Sequence, residues 1–216
     1  MFATKVPVLA SVACLALTLL SGCTSSPETA AARDHDPAPV PLHPEAVRPL
    51  DVGQQVPSAR IYTVEGEATD IRDVTRRQPT VLIFYRGGWC PYCSRHLGEL
   101  GGVEEDLRRA GYQIIAVSPD RPEYLKSALK EEDYSYTLMS DHEANASRAF
   151  GLAFRVGIET FENYRGMGVD LEERSGSRHH ILPVPAAYVV DDEGVIRFAY
   201  WNPDYKQRVD VDRLLQ

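Results

Sequence analysis

Val81-Leu82-Ile83-Phe84-Tyr85-Arg86-Gly87-Gly88-Trp89-Cys90-Pro91-Tyr92-Cys93 is the stretch from which the fold is read. Its five leading apolar or aromatic residues run without a polar break, as a central strand buried on both faces of a mainly parallel sheet requires. Gly87 and Gly88 allow a sharp turn at the end of that strand. Pro91 suits a first helical position, and Cys93, Leu97, Leu100, Val103 and Leu107 recur at near-helical spacing. The pattern therefore predicts strand, turn and helix, with Cys90 at the helix N-terminus. Gly98, Gly101 and Gly102 fall inside that helix, each costing about 1 kcal/mol relative to Ala, for no reason visible in the sequence.

Unpaired amides and the macrodipole at a helix start favour an anion, here a thiolate. Cys90 is thus expected to be an exposed nucleophile and Cys93, heading the apolar stripe, the more buried thiol that resolves it. A Cys-x-x-Cys that follows a strand and opens a helix reads as a redox pair. Two structural cysteines, or half of a zinc site, are the alternatives. A structural zinc takes four ligands, and the other two of the four cysteines, Cys14 and Cys23, lie in an N-terminal leader. His96 reads as a solvated surface residue. No cofactor beyond a Cys90–Cys93 redox disulfide is expected, and no metal.

Working outward, 216 residues with 44% apolar content suffice for one domain plus a tail. A net charge of -8 argues against nucleic acid or an anionic lipid surface as partner. Lys5 and the apolar run Val6 to Leu20 read as a secretory signal, too short for a comfortable membrane span. Leu20-Ser21-Gly22-Cys23 resembles the lipobox of bacterial lipoproteins. That resemblance implies lipidation of Cys23, loss of residues 1–22, and a cell-envelope location facing the periplasm. Thr24 after the lipidated Cys points toward the outer membrane. Residues 24–46, rich in Pro, Ala and Ser, read as a disordered tether spanning roughly 70 Å at about 3 Å per residue. The folded domain is expected over 47–216.

Within it, residues 53–64 with the turn Glu65-Gly66-Glu67 predict a short strand ahead of the buried one. Gln113 to Val117 predicts a second buried strand, joined to the first as a right-handed βαβ unit. A surface helix over 122–133, a strand over 136–139 and a helix ending at Gly151 follow. Residues 155–182 lack periodicity and read as a long functional loop. That segment is expected to fold over the Cys90 side, with Phe161 and Tyr164 as an apolar wall and His179 or His180 as a proton donor. Pro183-Val184-Pro185 leads into a hairpin of strands 186–191 and 195–201, and Val209, Val211, Leu214 and Leu215 predict a short closing helix.

This order of elements resembles thioredoxin. Phe84 to Cys93, Ala116-Val117-Ser118-Pro119-Asp120, Ser140-Asp141 and Leu182-Pro183-Val184-Pro185 through Asp191 together resemble the alkyl hydroperoxide reductase and thiol-specific antioxidant family, the peroxiredoxin-like branch of that superfamily. The resemblance implies an α/β thioredoxin-like fold: a central mixed β-sheet flanked by helices, peroxiredoxin-type N-terminal strands, and an insertion before a cis-Pro hairpin. The chain also departs from the family's peroxidase pattern. Gly87 stands where the peroxidases carry Thr, Ile83 where they carry Pro, and Pro185 where they carry Arg. Thioredoxins have a substrate-binding cis-proline at the place of Pro185, so Pro185 is assigned that role, with Trp89 completing the motif and Arg86 able to replace the missing Arg electrostatically.

Three functions of different class follow. The first is a thiol-dependent redox enzyme that reduces disulfides or hydroperoxides and exchanges electrons with a thiol/disulfide protein: Cys90 attacks and Cys93 resolves. In this class the site residues favour disulfide exchange and the family favours peroxide. The second is a copper-binding lipoprotein using both cysteines and His179 or His180, although such proteins have three residues between the cysteines and this chain has two. The third is a structural lipoprotein with a vestigial site.

Overall fold

Every residue of the segment Thr80–Phe84 is buried, and the alternation of its side chains creates the two layers of the molecule. Leu82 and Phe84 face one cluster with Ile61, Ile71, Phe150 and Tyr188. Val81, Ile83 and Tyr85 face the other, which holds Cys90, Cys93, Leu97 and Leu100. Each such side chain contributes about 1.5–3 kcal/mol on burial, so both faces of one strand anchor a core.

The structure is a computed structural model, and it describes residues 39–132 and 135–215. The leader, Cys23 and the first part of the expected tether lie outside the described residues. In chain order the regular elements are β1 (Arg60–Tyr62), β2 (Ala68–Asp70), α1 (Ile71–Thr75), β3 (Thr80–Phe84), α2 (Pro91–Arg109), β4 (Gln113–Ser118), α3 (Pro122–Glu132) and β5 (Thr137–Ser140). Then come α4 (Asn145–Ala149), β6 (Ala153–Arg155), α5 (Ile158–Gly166), α6 (Leu171–Ser175), β7 (Ile181–Pro183), β8 (Ala186–Val190) and β9 (Ile196–Trp201). The main sheet is mixed, in the order β2-β1-β5-β4-β3-β8-β9. β3 runs parallel to β4, with Leu82 opposite Ile115, and antiparallel to β8, with Leu82 opposite Tyr188. The α/β thioredoxin-like architecture is therefore as expected.

Three expectations need correction. The segment read as a loop holds α5, α6 and β7, and β7 pairs with β6 in a second, two-stranded sheet. These elements are short, and only Phe161 of the nine residues in α5 is buried, so no apolar stripe is long enough to register in the sequence. Second, the folded chain starts before Val47: the Arg155 amide donates to Pro41 O at 2.7 Å, and Pro44–Ala46 forms a 3₁₀ turn. Residues 39–46 thus belong to the domain and not to a tether. Third, the closing helix is a 3₁₀ segment, Val211–Leu215.

The α2 stripe is as predicted, with Cys93, Leu97, Leu100 and Leu107 buried. Gly98, Gly101 and Gly102 lie on its exposed face. A Cβ on any of them would have nothing within 4 Å, and none has a positive φ. Nothing in the fold requires glycine there. Replacing each with Ala is predicted to stabilise the protein by about 0.5–1 kcal/mol, read as a higher denaturation midpoint at unchanged slope. A loss of stability in any of the three would show that the exposed face is packed.

Candidate active site

The site is assembled at the end of β3, where residues 85–90 turn the chain into α2. Gly87 has φ +142°, and a Cβ there would lie 2.3 Å from Trp89 Nε1 and 2.9 Å from Asp120 Oδ2. No side chain fits in this backbone conformation. The turn in this conformation therefore does not take the Thr of the peroxidase pattern unless Trp89 and Asp120 shift. The Gly88 amide donates to Asp120 Oδ2 at 2.7 Å, which ties the turn to the loop after β4. Burial raises the Asp120 carboxyl to about 6, opposed by this Gly88 hydrogen bond and by Arg174.

Cys90 is the N-cap of α2, with the Cys93 and Ser94 amides donating to its carbonyl at 2.9 and 3.1 Å. Both cysteines are free and buried. Cys90, expected to be exposed, is only 1% accessible, because Trp89, Tyr92 and the β3 side chains close around the turn. Its thiol is nevertheless pulled down to about 6. The Cys93 side chain, donating to the thiolate, contributes most. Burial opposes this, while the Cys93 backbone amide, Arg86 and Arg208 assist it. Cys93 goes the other way, well above the usual thiol range, mainly through burial and through its hydrogen bond to Cys90. The pair is therefore asymmetric at neutral pH: Cys90 is the thiolate and Cys93 the proton donor to it.

Arg86, at the end of β3, is 3% exposed. Its guanidinium lies 4.0 Å from the Tyr205 ring centroid, 5.0 Å from Trp89 and 5.4 Å from Tyr164. One Nη donates to the Tyr164 hydroxyl, and Nε has no hydrogen-bond partner among the described residues. An aromatic cage stabilises such a cation without neutralising it, which leaves its charge available to Cys90. Tyr164 comes from α5 and its ring lies 5.5 Å from that of Trp89, tilted by 52°, so the segment after β6 does fold over this side. Arg86, Tyr164, Pro185, Tyr205, Phe154 and Val156 line a cavity of about 260 Å³.

Other expected site residues are placed differently. No cis peptide bond occurs among the described residues, so Val184–Pro185 is trans and Pro185 is not a cis-proline. The Val184 amide is engaged with Leu152 O at 2.9 Å and the Pro185 carbonyl with the Asn202 amide at 3.3 Å. The chain thus passes extended from the small sheet into β8 without a reversal. His179 and His180 border a pocket of about 10 Å³ with Arg86, Trp89 and Asp120, room for about one water. Their rings are committed elsewhere. His179 is bonded to His142 O at 2.8 Å and accepts from the Ile181 amide, while His180 Nε2 meets Glu172 at 2.7 Å and stacks on Phe161 at 4.1 Å. These contacts make His180 hold α6 to α5. Among the described residues no group of three His, Cys, Asp or Glu is arranged to hold a metal.

His96, read as solvated, is 4% exposed, and its Nε2 has no partner among the described residues. Burial and then Arg208 push its pKa down to about 4, so it is neutral at physiological pH. Arg208 itself gave no sequence signal. It follows β9, 115 positions beyond Cys93, and its Nη2 donates to Cys93 Sγ at 3.2 Å.

Residues 52–199 match the model of the AhpC/TSA family. Peroxiredoxin Bcp of Escherichia coli (strain K12) is 26% identical over 106 residues, covering 49% of this chain and 67% of that protein. The chloroplastic peroxiredoxin Q of Populus jackii is 23% identical over 167 residues, covering 77% of this chain and 67% of its own length. Among solved structures, reduced Prx3 from Vibrio vulnificus in complex with H2O2 superposes with a TM-score of 0.63 at 18% identity, over 77% of this chain and 97% of that one. This last likeness concerns the fold alone.

Alkylation of Cys90 is predicted to rise with pH through a midpoint near 6, below the ordinary value of about 8.5, because only the thiolate reacts. Cys93→Ser, which keeps a donor, should hold the midpoint low, and Cys93→Ala should raise it by about one unit or more. Mass-resolved labelling across pH measures both. A midpoint at or above about 8.5 in the wild type would remove the activated-thiolate reading.

Proposed function

We propose, from the premise that this chain belongs to the AhpC/TSA family and is a thiol-dependent redox enzyme, that the oxidant it reduces is a hydroperoxide. The observation that carries this is a Cys90 thiolate buried to 1% exposure and acted on by a caged Arg86 that has no carboxylate paired to it among the described residues. A two-oxygen substrate reaches such a sulfur far more readily than the disulfide of a folded protein does. In the first step the Cys90 thiolate attacks the terminal peroxide oxygen. The S–O bond forms, the O–O bond breaks, and the alkoxide or hydroxide leaves as an alcohol or water once protonated. Arg86 stabilises the charge that moves from sulfur to oxygen. In the second step Cys93 attacks the Cys90 sulfenic acid, water leaves, and a Cys90–Cys93 disulfide closes. A dithiol electron-transfer protein returns two electrons and two protons to reopen it.

Disulfide exchange remains the second reading, favoured by the Cys-Pro-Tyr-Cys spacing and by the thiol–thiolate pairing of Cys93 with Cys90. Against it stands the trans Val184–Pro185 bond, since a cis-proline beside the dithiol is what an incoming chain pairs with in thioredoxins. Leu20-Ser21-Gly22-Cys23 supports a lipid anchor on Cys23 and work in the bacterial cell envelope on the periplasmic side.

Reduced wild-type protein is predicted to consume about one equivalent of hydroperoxide per Cys90–Cys93 pair and to turn over with a dithiol protein. Cys90→Ser should consume none, and Cys93→Ser one equivalent without dithiol-protein turnover. Arg86→Gln should slow the peroxide step by about 10–100-fold, the scale of losing a charge-stabilising donor. Stopped-flow peroxide consumption tests all of these, and full activity in Cys90→Ser would overturn the assignment. For the anchor, Cys23→Ala should shift the protein from the membrane to the soluble envelope fraction. Unchanged membrane association would argue against lipidation.

A further inference from the structure

Cys93 carries an unsolved problem in this mechanism. It must be neutral while Cys90 is a thiolate, and must then become a nucleophile itself in a site that is 1% exposed. Burial opposes its ionisation, and so do the hydrogen bond to Cys90 and the Cys90 charge. Once Cys90 has accepted oxygen, its charge is gone and the last two obstacles go with it. What remains beside the sulfur is the Arg208 guanidinium, with Nη2 at 3.2 Å.

Arg208 is held for this contact. Its backbone lies between the Gln207 amide, bonded to Asp204 O at 2.9 Å, and Val209, which is 3% exposed in the core beneath α2. Its Nε is buried without a partner among the described residues. A partly buried guanidinium, with its Nε shut off from solvent and its Nη2 on a thiol, is better satisfied when that thiol becomes an anion. The groups acting on Cys93 are Cys90 on the same helix, Arg208 from beyond β9, and the Arg86 backbone from the end of β3. His96, one turn along α2, lies within the influence of Arg208 and stays uncharged, so it does not compete for the guanidinium.

We propose that Arg208 is the positioning residue of the resolving step: it holds Cys93 as a thiolate once Cys90 is oxidised, and thereby sets the rate of disulfide closure. This rests on Cys90 as the attacking thiol and Cys93 as the resolving one, but not on the oxidant being a peroxide. In closure the Cys93 thiolate forms the S–S bond to Cys90, the bond from Cys90 sulfur to its leaving group breaks, and that group departs with the pair of electrons. From the sulfenic acid the departing hydroxide takes up the proton that Cys93 released, giving water.

The test uses the full-length reduced protein with Cys90 capped as its methyl disulfide by methyl methanethiosulfonate. Closure then expels methanethiolate, and intact mass after acid quenching follows it without any peroxide. Arg208→Gln is expected to slow closure about tenfold or more at pH 7 and to raise its pH midpoint by about one unit, the equivalent of that factor. Arg208→Lys should recover most of the rate. Unchanged rate and midpoint in the Gln variant, or a Lys variant as slow as Gln, would overturn the proposal. A second measurement keeps Arg208 in place: in Cys90→Ser, alkylation of Cys93 should have a midpoint at least one unit below that of Cys93 in the reduced wild type. An equal or higher midpoint would also overturn it. Wild-type protein that closes the methyl disulfide but consumes no hydroperoxide would sink the peroxide reading and leave Arg208 standing.

Discussion

An arginine buried to 3% exposure, with no carboxylate paired to it among the described residues, is the constraint on which the site depends. Isolated buried charges are expensive, and an effective penalty of several kcal/mol persists even after relaxation. Trp89, Tyr164 and Tyr205 offset part of it through cation–π contacts worth about 0.5–2 kcal/mol each. A neighbouring anion offsets more, and the group placed to be that anion is the Cys90 sulfur. The cage and the thiolate stabilise one another, so the aromatic residues act on the chemistry through the Arg86 charge.

That dependence explains the segment between β6 and β8. α5 and α6 are poor helices by pattern, yet they deliver Tyr164 to Arg86 and pack Phe161 under His180. The histidine pair, which looks like acid–base machinery in the sequence, fastens this segment through Glu172 and His142 O. The apparent functional loop is a brace that closes one side of the cage. The 260 Å³ cavity beside it is bounded by the same residues.

The two thiols show how closely spaced groups of one type acquire opposite roles. Cys90 caps α2, Cys93 heads its apolar stripe, and both are buried. Their difference lies in who donates to whom: Cys93 gives its hydrogen to Cys90, which lowers one thiol and raises the other. Oxidation of Cys90 erases that difference, so the same contact that suppresses Cys93 before the first step ceases to do so after it.

Legibility in the sequence followed the range of the interactions. β3, α2, β4 and the final hairpin were readable because burial on both faces, or on one helical stripe, writes a periodicity into adjacent residues. The position of Cys90 at a helix start was readable for the same local reason, as was the need for glycine at the turn, although only the packed neighbours Trp89 and Asp120 reveal why Gly87 excludes every other residue. Burial of Arg86 and His96, the trans path through Val184–Pro185, and the bond from Arg208 to Cys93 were decided by the tertiary structure. A charged residue reads as solvated until distant rings enclose it, and Arg208 lies 115 positions from the sulfur it meets. Sequence alone singled out the two thiols; the three-dimensional packing determined which cations lie beside them, because electrostatic contacts across the fold leave no pattern along the chain.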